Sequence, residues 1–206
     1  MGARGDFAVR FSNRDIDRLR GMIAAASMAD QTTLVAIDGL GGAGKSTLAK
    51  ELDENLDTLS TVASDDFYRP VAGALAPEQA YDAYFDWQRL RDTVLAPLSR
   101  NSRACYQRYD WVSDSLAEWH EVSPGGVVIV EGVYSTRPEL RPRFGVTVFV
   151  DTPREERLAR MLDRLYDDVA WIERWMATED WYLEHMRPLD HVDLVVDGFP
   201  KNRAAT

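Results

Sequence analysis

The sequence predicts a three-layer α/β fold in which a parallel five-stranded sheet carries helices on both faces. Short, nearly continuous apolar runs alternate with stretches of helical periodicity, as in proteins built from strand–helix–strand units with right-handed crossovers. The chain has 206 residues, a length typical of one large domain. Its residues are 45% hydrophobic and 28% charged, a mixture that excludes disordered and fibrous proteins. We therefore expect a single domain over residues 1–206.

Apolar runs locate five strands at residues 33–38, 58–63, 127–131, 146–151 and 192–197. Runs of this kind are typical of strands that are buried on both faces of a parallel sheet. Apolar residues at helical spacing predict helices over residues 13–28, 45–57, 153–165 and 169–186, with a broken helical region at 77–98. Ser12 is a residue type that favours a helix start, so residues 1–32 are expected to form an N-terminal helical extension.

Residues 104–122 differ in composition from the rest of the chain. Four aromatic residues, Tyr106, Tyr109, Trp111 and Trp119, lie among polar ones, and a turn-like Ser-Asp-Ser sequence spans 113–115. Aromatic residues on both sides of a turn favour two paired strands. We expect a small hairpin insert at this point.

The charge balance and the cysteine count limit the partners and the compartment. Asp and Glu number 34 against 24 Lys and Arg, which gives a net charge of −10. Because so acidic a surface repels phosphate backbones and anionic lipids, nucleic-acid and membrane partners are not expected. The single cysteine, Cys105, cannot form an internal disulfide, as is usual in a reducing compartment. The N-terminal residues lack the apolar segment of a secretion signal, and we expect a cytoplasmic protein.

Residues 39–46 read Gly-Leu-Gly-Gly-Ala-Gly-Lys-Ser and fit the pattern G-x-x-x-x-G-K-[ST] between a predicted strand and a predicted helix. Glycines let the backbone wrap around a phosphate, so that consecutive N–H groups and the positive helix end point at it. In this pattern Lys45 reaches the β- and γ-phosphates, and the hydroxyl of Ser46 binds Mg²⁺. The expected nucleotide contacts are Gly39, Gly41, Gly42, Ala43, Gly44, Lys45, Ser46 and Thr47.

Several classes of protein bind nucleotides with such a loop. Guanine-selective proteins usually add an Asn-Lys-x-Asp element, which this sequence lacks. Motors and transporter subunits tend to be longer and carry a further signature helix. A chain of this length therefore suits a small-molecule kinase better.

From Leu34 to Gly198 the chain resembles the uridine kinase and phosphoribulokinase superfamily, most closely its uridine–cytidine kinase branch. Six stretches in superfamily order carry the resemblance: IDGLGGAGKSTLA from Ile37, SDDFYRP from Ser64, YFDW from Tyr84, RYDWVSDS from Arg108, VVIVEGVYS from Val127 and FVDTPREERLAR from Phe149. The resemblance implies the fold of P-loop nucleoside triphosphate hydrolases. It also implies that ATP, with Mg²⁺, phosphorylates a hydroxyl of a small-molecule acceptor, most closely the 5′-hydroxyl of a nucleoside such as uridine or cytidine.

The resemblance assigns catalytic residues. The catalytic base falls on Asp65, where a carboxylate accepts the proton of the attacking hydroxyl, and the adjacent Asp66 is the competing assignment. Lys45 serves catalysis as well as phosphate binding. Glu131 ends an apolar run, where P-loop enzymes keep a carboxylate that holds Mg²⁺ or its waters. Ser46 and Glu131 are therefore the expected metal ligands.

Similarity also implies the residues that bind the acceptor. Asp86 would contact ribose hydroxyls, Tyr68 would line the same pocket, and Tyr109 and Trp111 of the hairpin would read the nucleobase. Asp114 replaces a histidine of the superfamily pattern, and because an ionised aspartate only accepts hydrogen bonds, it favours an amino or imino edge over a carbonyl. Two alternatives stay open: a kinase for another small alcohol, such as a pantothenate-, sugar- or specialised-metabolite-type acceptor, and a non-catalytic ATP-binding protein.

A lid over residues 160–180 is expected to close arginines over the phosphates, where they stabilise transition-state charge and exclude water. Arg164 is the first candidate, with Arg160 and Arg174 behind it. Met161 replaces an arginine that the superfamily uses. The sequence leaves open whether the chain forms a homo-oligomer and whether ATP or GTP is the donor.

Overall fold

The structure, a computed structural model, describes residue 9 and residues 11–53, 59–71, 73–164 and 169–199. Its helices and strands are α1 Asn13–Ala26, β1 Thr33–Asp38, α2 Lys45–Asp53, β2 Leu59–Ala63, α3 Pro77–Ala83, α4 Trp87–Leu90, α5 Ala96–Leu98, β3 Ala104–Asp110, β4 Ser115–Val122, β5 Val127–Glu131, β6 Val146–Asp151, α6 Arg154–Asp163, α7 Val169–Met186 and β7 Leu194–Asp197. A π-helical turn, Arg91–Leu95, joins α4 to α5, and 3₁₀ turns lie at Ser64–Phe67, Arg141–Arg143 and Pro188–Asp190.

The central sheet contains five parallel strands in the order β2-β5-β1-β6-β7. Glu131 at the end of β5 pairs with Ile37 on one side and with Ala63 on the other. The carboxyl ends of β1, β2 and β5 therefore meet at one edge of the sheet. In open sheets of this kind, ligands bind in the crevice beyond that edge.

Helices cover both faces of the sheet. On one face, buried side chains of α1 and α2 pack on alternate strand residues such as Val35 and Ile37. On the other face, the helical turns of residues 87–98 and the hairpin pack on Leu34 and Val128, while α3 and α7 pack around Phe149. This is the predicted three-layer architecture, and α1 is part of its core rather than an appendage to it.

Strands β3 and β4 form an antiparallel hairpin apart from the main sheet, within the predicted residues 104–122. The buried ring of Tyr106 packs on Phe67 with their centroids 5.0 Å apart. In contrast, Trp111 and Trp119 are 48% and 65% exposed. The hairpin thus has one packed face and one face that reaches solvent.

The predicted bounds of β1, β5, β6 and α7 are confirmed. The last strand begins at Leu194 rather than at 192, because Asp193 is already held in a turn by its carboxylate and its backbone N–H, both bonded to Thr147. The helical region at 77–98 is interrupted before Trp87, where the carboxylate of Asp86 accepts a hydrogen bond from the backbone N–H of Arg89 and starts α4. Residues 54–58 and 165–168, which fall in predicted helices, in the second strand and in the lid, lie outside the described residues.

No described helix is both long enough and apolar enough to cross a membrane.

Candidate active site

A cavity of about 580 Å³ opens at the carboxyl edge of the sheet. Lys45 and Ser46 reach it from the start of α2, Asp65 from the turn after β2, Glu131 from the end of β5 and Arg164 from the end of α6. The parallel sheet brings these residues together because it aligns the strand ends that carry or precede them. Predicted phosphate, metal, base and lid residues therefore share one space.

Glycines shape the loop between β1 and α2. Gly42 has a φ of +75°, and a Cβ there would lie 2.6 Å from the backbone oxygen of Arg157. Gly39 has a φ of +143°, and a Cβ there would lie 2.7 Å from the backbone oxygen of Val150. Other residues would be strained and obstructed at both positions, so only glycine lets the loop pass this close to α6 and β6.

The loop encloses the side chain of Lys45. This residue is buried, and its Nζ donates a hydrogen bond to the backbone oxygen of Leu40 at 3.0 Å. Gly41 and Gly42 line the cavity beside Lys45. The remaining predicted nucleotide contacts complete the loop and the first turn of α2 around these residues; they are Gly39, Ala43, Gly44 and Thr47. The backbone of the loop is thus wrapped around a buried cation.

Glu179 of α7 contacts the loop between β1 and α2. It is completely buried, and its Oε1 accepts a hydrogen bond from the backbone N–H of Gly41 at 2.6 Å. Arg157 of α6, also buried, donates from Nη1 to the other oxygen of Glu179 at 2.8 Å. Burial raises the pKa of Glu179, while Arg157, the Gly41 N–H and Lys45 oppose that rise. A buried ion pair therefore links two helices to the phosphate loop.

The expectation that Arg160 is a lid arginine is wrong. Its side chain is only 5% exposed, and its Nη1 donates to the backbone oxygens of Gly42 and Ala43, each at 3.2 Å. Nη2 donates to the backbone oxygen of Gly198 at 3.0 Å, and Nε donates to Glu156 at 2.9 Å. Because its donors are taken up by loop carbonyls and a carboxylate, Arg160 holds the loop from outside the cavity and does not close over it.

Arg164 is the predicted lid arginine that lines the cavity. Its charge acts on Glu131 across that space. The other candidate, Arg174, is exposed on α7 and is not among the described residues that line the cavity.

Asp65 and Asp66 lie in different surroundings. Asp65 lines the cavity, whereas the carboxylate of Asp66 accepts a hydrogen bond from the hydroxyl of Tyr106 at 3.1 Å. The side chain of Asp65 reaches solvent through the open cavity. The protein around it nevertheless raises the pKa of Asp65, and the charge of Lys45 opposes that rise. Of the two neighbours, Asp65 is the one that faces the phosphate loop.

Ser46 and Glu131 form the candidate metal site. The hydroxyl of Ser46 donates to Oε1 of Glu131 at 3.0 Å. Burial raises the pKa of Glu131, and the charge of Lys45 opposes that rise. A hydroxyl beside a carboxylate fits Mg²⁺, which binds one or two protein carboxylates and takes its other ligands from waters and substrate phosphates. In the part of the chain that the structure describes, no group of three or more His, Cys, Asp or Glu side chains would hold a metal alone.

The chain is similar to several known proteins. A family model described as an AAA domain matches residues 35–179. The chain is 31% identical over 174 residues to the uridine kinase of Deinococcus deserti, which covers 79% of this chain and 81% of that protein. The chain belongs to the uridine kinase-like family of P-loop kinases.

Two further relatives support this family and its fold. The uridine kinase of Shewanella piezotolerans is 29% identical over 199 residues, which covers 85% of this chain and 92% of that protein. The solved structure of a possible uridine kinase from Bacillus stearothermophilus has a TM-score of 0.70 and 26% identity, and the match covers 89% of this chain and 98% of that one. The α/β P-loop kinase fold predicted from the sequence is thereby confirmed.

In this uridine kinase-like chain the predicted acceptor residues divide between two spaces. Trp111 lines the main cavity, whereas Tyr68, Asp86, Tyr109 and Asp114 line a neighbouring pocket of about 290 Å³. The rings of Tyr68 and Trp111 pack on each other with centroids 4.2 Å apart. This ring pair lies at the boundary between the two spaces.

Polar groups of the neighbouring pocket are engaged with the protein itself. The hydroxyl of Tyr109 donates to the carboxylate of Asp114, and this hydrogen bond raises the pKa of Tyr109 to about 12. The carboxylate of Asp86 accepts from the backbone N–H of Arg89 at 3.0 Å. A ligand in this pocket would therefore compete with existing hydrogen bonds.

The apolar wall of the cavity was not predicted from the sequence. Five residues form this wall: Phe85, Val133, Met161, Trp171 and Trp175. Trp171 and Trp175 are four residues apart, and such a pair is typical of the core face of a helix. Glu179 was the available signal that this face of α7 is not an ordinary core face. It continues the apolar face, and an acidic residue is rarely buried there unless it is paired.

Proposed function

We propose that the protein phosphorylates a hydroxyl group of a small molecule with ATP, and that the 5′-hydroxyl of a nucleoside such as uridine or cytidine is the first candidate acceptor. The observation that carries the reaction is the meeting of Lys45, Ser46, Asp65 and Glu131 around one cavity. The nucleoside is supported by the relatives from Deinococcus deserti and Shewanella piezotolerans, which are both uridine kinases.

The loop between β1 and α2 fits the phosphates of a nucleotide. Gly41 and Gly42 line the cavity without side chains, so the backbone of the loop borders it directly. The start of α2 adds the partial positive charge of a helix N-terminus. Lys45 supplies a full positive charge inside the same loop. Mg²⁺, held by Ser46 and Glu131, neutralises phosphate charge when it is bound.

Asp65 acts as the base in this proposal. The oxygen of the acceptor hydroxyl attacks the γ-phosphorus, the bond from that phosphorus to the β,γ-bridging oxygen breaks, and ADP leaves. Asp65 accepts the proton that the hydroxyl releases. Arg164 stabilises the charge on the group in transfer, and the apolar wall keeps water, a competing acceptor, away from the phosphorus.

A kinase for another small alcohol, such as a sugar, is the second candidate. It is favoured by the position of Asp86, Tyr109 and Asp114, which line the neighbouring pocket rather than the cavity that contains Asp65. The residues for ATP, Mg²⁺ and proton transfer stay the same in both candidates. The two differ only in the acceptor.

Release of ADP from Mg²⁺ and ATP, scanned over nucleosides and then over sugars and other small alcohols, tests the proposal. Stimulation by uridine or cytidine supports a nucleoside kinase, and stimulation by a non-nucleoside alone keeps the chemistry and discards the nucleoside. Tight ATP binding with no stimulation by any acceptor contradicts the proposal and favours a non-catalytic ATP-binding protein.

A further inference from the structure

The end of β1 carries a buried carboxylate that the proposed function does not use. Asp38 is 0% exposed and directly precedes Gly39, where the phosphate loop begins. A carboxylate is costly to remove from water unless hydrogen bonds satisfy its oxygens. The donors that bond to Asp38 therefore show which parts of the chain this side chain holds together.

The Asp38 carboxylate accepts hydrogen bonds from two segments that carry the candidate site. Its Oδ1 accepts from the backbone N–H of Gly39 at 2.6 Å and from that of Tyr134 at 3.0 Å. Its Oδ2 accepts from Thr136, from the backbone N–H at 2.9 Å and from the hydroxyl at 2.6 Å. The first donor begins the phosphate loop, and the others belong to the turn that follows Glu131. One side chain thus joins the phosphate loop to the turn after the candidate metal carboxylate.

The backbone pairing of β1 and β5 ends where the Asp38 side chain begins to link them. Among the described residues, the last backbone hydrogen bond between the two segments runs from the N–H of Gly132 to the oxygen of Ile37 at 3.1 Å. Beyond this bond, β1 continues into the phosphate loop and β5 into the turn. The carboxylate of Asp38 then bonds to both, so it extends the connection past the end of the strand pair.

The turn is strained, and it also contacts the segment of the candidate base. Tyr134 has a φ of +66°, which a residue with a side chain rarely adopts unless its surroundings hold it there. The hydrogen bond from its N–H to Asp38 is one such restraint. Gly132, at the start of the turn, has no room for a Cβ because the side chain of Ser64 occupies that space. Since Ser64 directly precedes Asp65, the turn that Asp38 restrains packs on the base segment as well.

We propose, on the basis of the proposed function, that Asp38 is a positioning residue, which fixes the phosphate loop relative to Glu131 so that Ser46 and Glu131 can hold Mg²⁺ together. The hydrogen bond of 3.0 Å between Ser46 and Glu131 is the contact that this bridge preserves. Residues outside the ligand set commonly affect metal binding in this way, because they orient the ligands. Asp38 itself touches neither the metal nor the nucleotide in this proposal.

Asp38→Asn tests this bridge while it keeps the size of the side chain. An asparagine amide has one acceptor oxygen and a donor NH₂ group, so in either orientation the NH₂ group faces a backbone N–H of Gly39, Tyr134 or Thr136. The binding of a non-hydrolysable ATP analogue is measured by calorimetry with Mg²⁺ and again with EDTA, and the Mg²⁺ ratio is the first affinity divided by the second. We expect this ratio to fall by about tenfold, at the lower end of the range for residues that orient metal ligands.

Two control variants separate positioning from loss of stability. Asp193→Asn makes the same change in a carboxylate that also accepts from a backbone N–H and a hydroxyl, those of Thr147, near the start of β6 and away from the cavity. Tyr182→Phe removes the hydroxyl of α7 that donates to Asp38 at 2.7 Å, and it leaves the bonds from the loop and the turn in place. Urea unfolding measures the stability of each variant. We expect both controls to keep the wild-type Mg²⁺ ratio, even where stability falls.

A milder variant and a second readout serve where Asp38→Asn does not fold. Thr136→Val removes a hydroxyl of the turn from Oδ2 of Asp38, the same oxygen that Tyr182 contacts. It should lower the Mg²⁺ ratio, whereas Tyr182→Phe should not. Hydrogen exchange of the backbone amides needs no nucleotide: in either bridge variant the N–H of Thr136 should exchange faster than in wild type, while the amides of β1 and β5 stay protected.

The outcomes separate this proposal from the proposed function. A wild-type Mg²⁺ ratio in folded Asp38→Asn, or in Thr136→Val if the first variant does not fold, overturns the positioning role. An equal fall of the ratio in Tyr182→Phe overturns it as well, because loss of stability would then be the cause. A ratio that depends on Asp38 in a protein that transfers the phosphoryl group to no acceptor keeps the positioning role and contradicts the proposed function instead. A wild-type affinity that does not depend on Mg²⁺ contradicts both.

Discussion

The carboxylate of Glu179 lies 2.6 Å from the backbone nitrogen of Gly41, so a buried acidic residue of α7 holds the phosphate loop in place. Four residues earlier on the same helix, Trp175 forms part of the cavity's apolar wall. Residues four apart lie on one helix face. One face of α7 therefore contacts both the loop that would bind phosphates and the wall that would contact the acceptor.

Substitution of Glu179 should lower both stability and nucleotide affinity. In Glu179→Gln the neutral side chain can still accept from Gly41, but Arg157 is left as an unpaired buried charge, and breaking a buried ion pair in this way costs about 3–5 kcal/mol. We expect the free energy of unfolding, measured by urea denaturation, to fall by this amount, and the KM for ATP to rise.

A double variant provides the control for Glu179. Arg157→Met combined with Glu179→Met leaves no buried charge, and apolar replacement of a whole buried pair is often neutral. It should regain stability relative to Glu179→Gln, while the KM for ATP should rise above that of Glu179→Gln because only the double variant lacks an acceptor for the Gly41 N–H. A Glu179→Gln protein as stable as wild type would contradict the structural role of the pair.

Arg164 and Arg160 should respond differently to the same substitution. Arg164→Met removes a charge that lines the cavity, and loss of one group that stabilises transition-state charge costs about 10²-fold in kcat. Arg160→Met removes the buried hydrogen bonds that hold the loop, and we expect a loss of about 2–3 kcal/mol in the free energy of unfolding. Measurement of kcat and of urea unfolding for both variants checks this contrast, and the reverse pattern would return Arg160 to the lid.

Weakening the Ser46–Glu131 pair should change the requirement for Mg²⁺. Ser46→Ala and Glu131→Gln each remove one candidate ligand, so the Mg²⁺ concentration that gives half-maximal activity should rise and kcat should fall. Ser60→Ala is a matched control, because Ser60 is exposed on β2 away from the cavity. An unchanged Mg²⁺ dependence in both site variants would exclude the pair as the metal site.

The acidic side of the pH profile should lie above the ordinary range of an aspartate. The surrounding protein raises the pKa of Asp65, with Lys45 opposing, and burial raises the pKa of Glu131. A base works only when it is deprotonated, so kcat/KM should fall as the pH drops through these raised values, above the usual value of about 3.9 for an aspartate. The profile of Glu131→Gln shows which part of the fall belongs to Asp65. Activity that persists down to about pH 4 would contradict the assignment.

Most of the fold was predictable because its signals are local. Continuous apolar runs located β1, β5 and β6, and the glycine-rich pattern placed the loop between a strand and a helix. The break at Asp86 was harder to locate, because a capping carboxylate can begin a new helix inside a periodic region. The true start of β7 depends on Asp193 bonding to Thr147, a contact between distant parts of the chain.

The site residues that belong to sequence motifs could be predicted, and those that only packing places at the site could not. Lys45 and Asp65 come after predicted strands and Glu131 ends one, so the parallel sheet brings them together. An arginine on a helix looks the same in sequence whether it faces a phosphate or a loop carbonyl, which is why Arg160 was misassigned. Trp175 looks like a core residue until the cavity beside it is known.

Asp65→Asn should keep the fold while it removes the base. In the folded protein the pKa of Asp65 is raised, so the stability that its protonated form provides is lost as the pH rises from the ordinary value through the raised one. Near neutral pH the uncharged asparagine avoids the cost of ionising a carboxyl group whose pKa is raised. The Tm of Asp65→Asn should therefore be at least that of wild type.

The most direct measurement is phosphoryl transfer from ATP in a single turnover, with the acceptor that most stimulates ADP release, for Asp65→Asn beside Asp66→Asn. We expect Asp65→Asn to bind ATP as wild type does and to transfer at least about 10²-fold more slowly, within the range for loss of a general base. Asp66→Asn, whose amide oxygen can still accept from Tyr106 and whose side chain is not among the described residues that line the cavity, should transfer at close to the wild-type rate. Transfer by Asp65→Asn at the wild-type rate, with Asp66→Asn inactive, would contradict the account and move the base to Asp66.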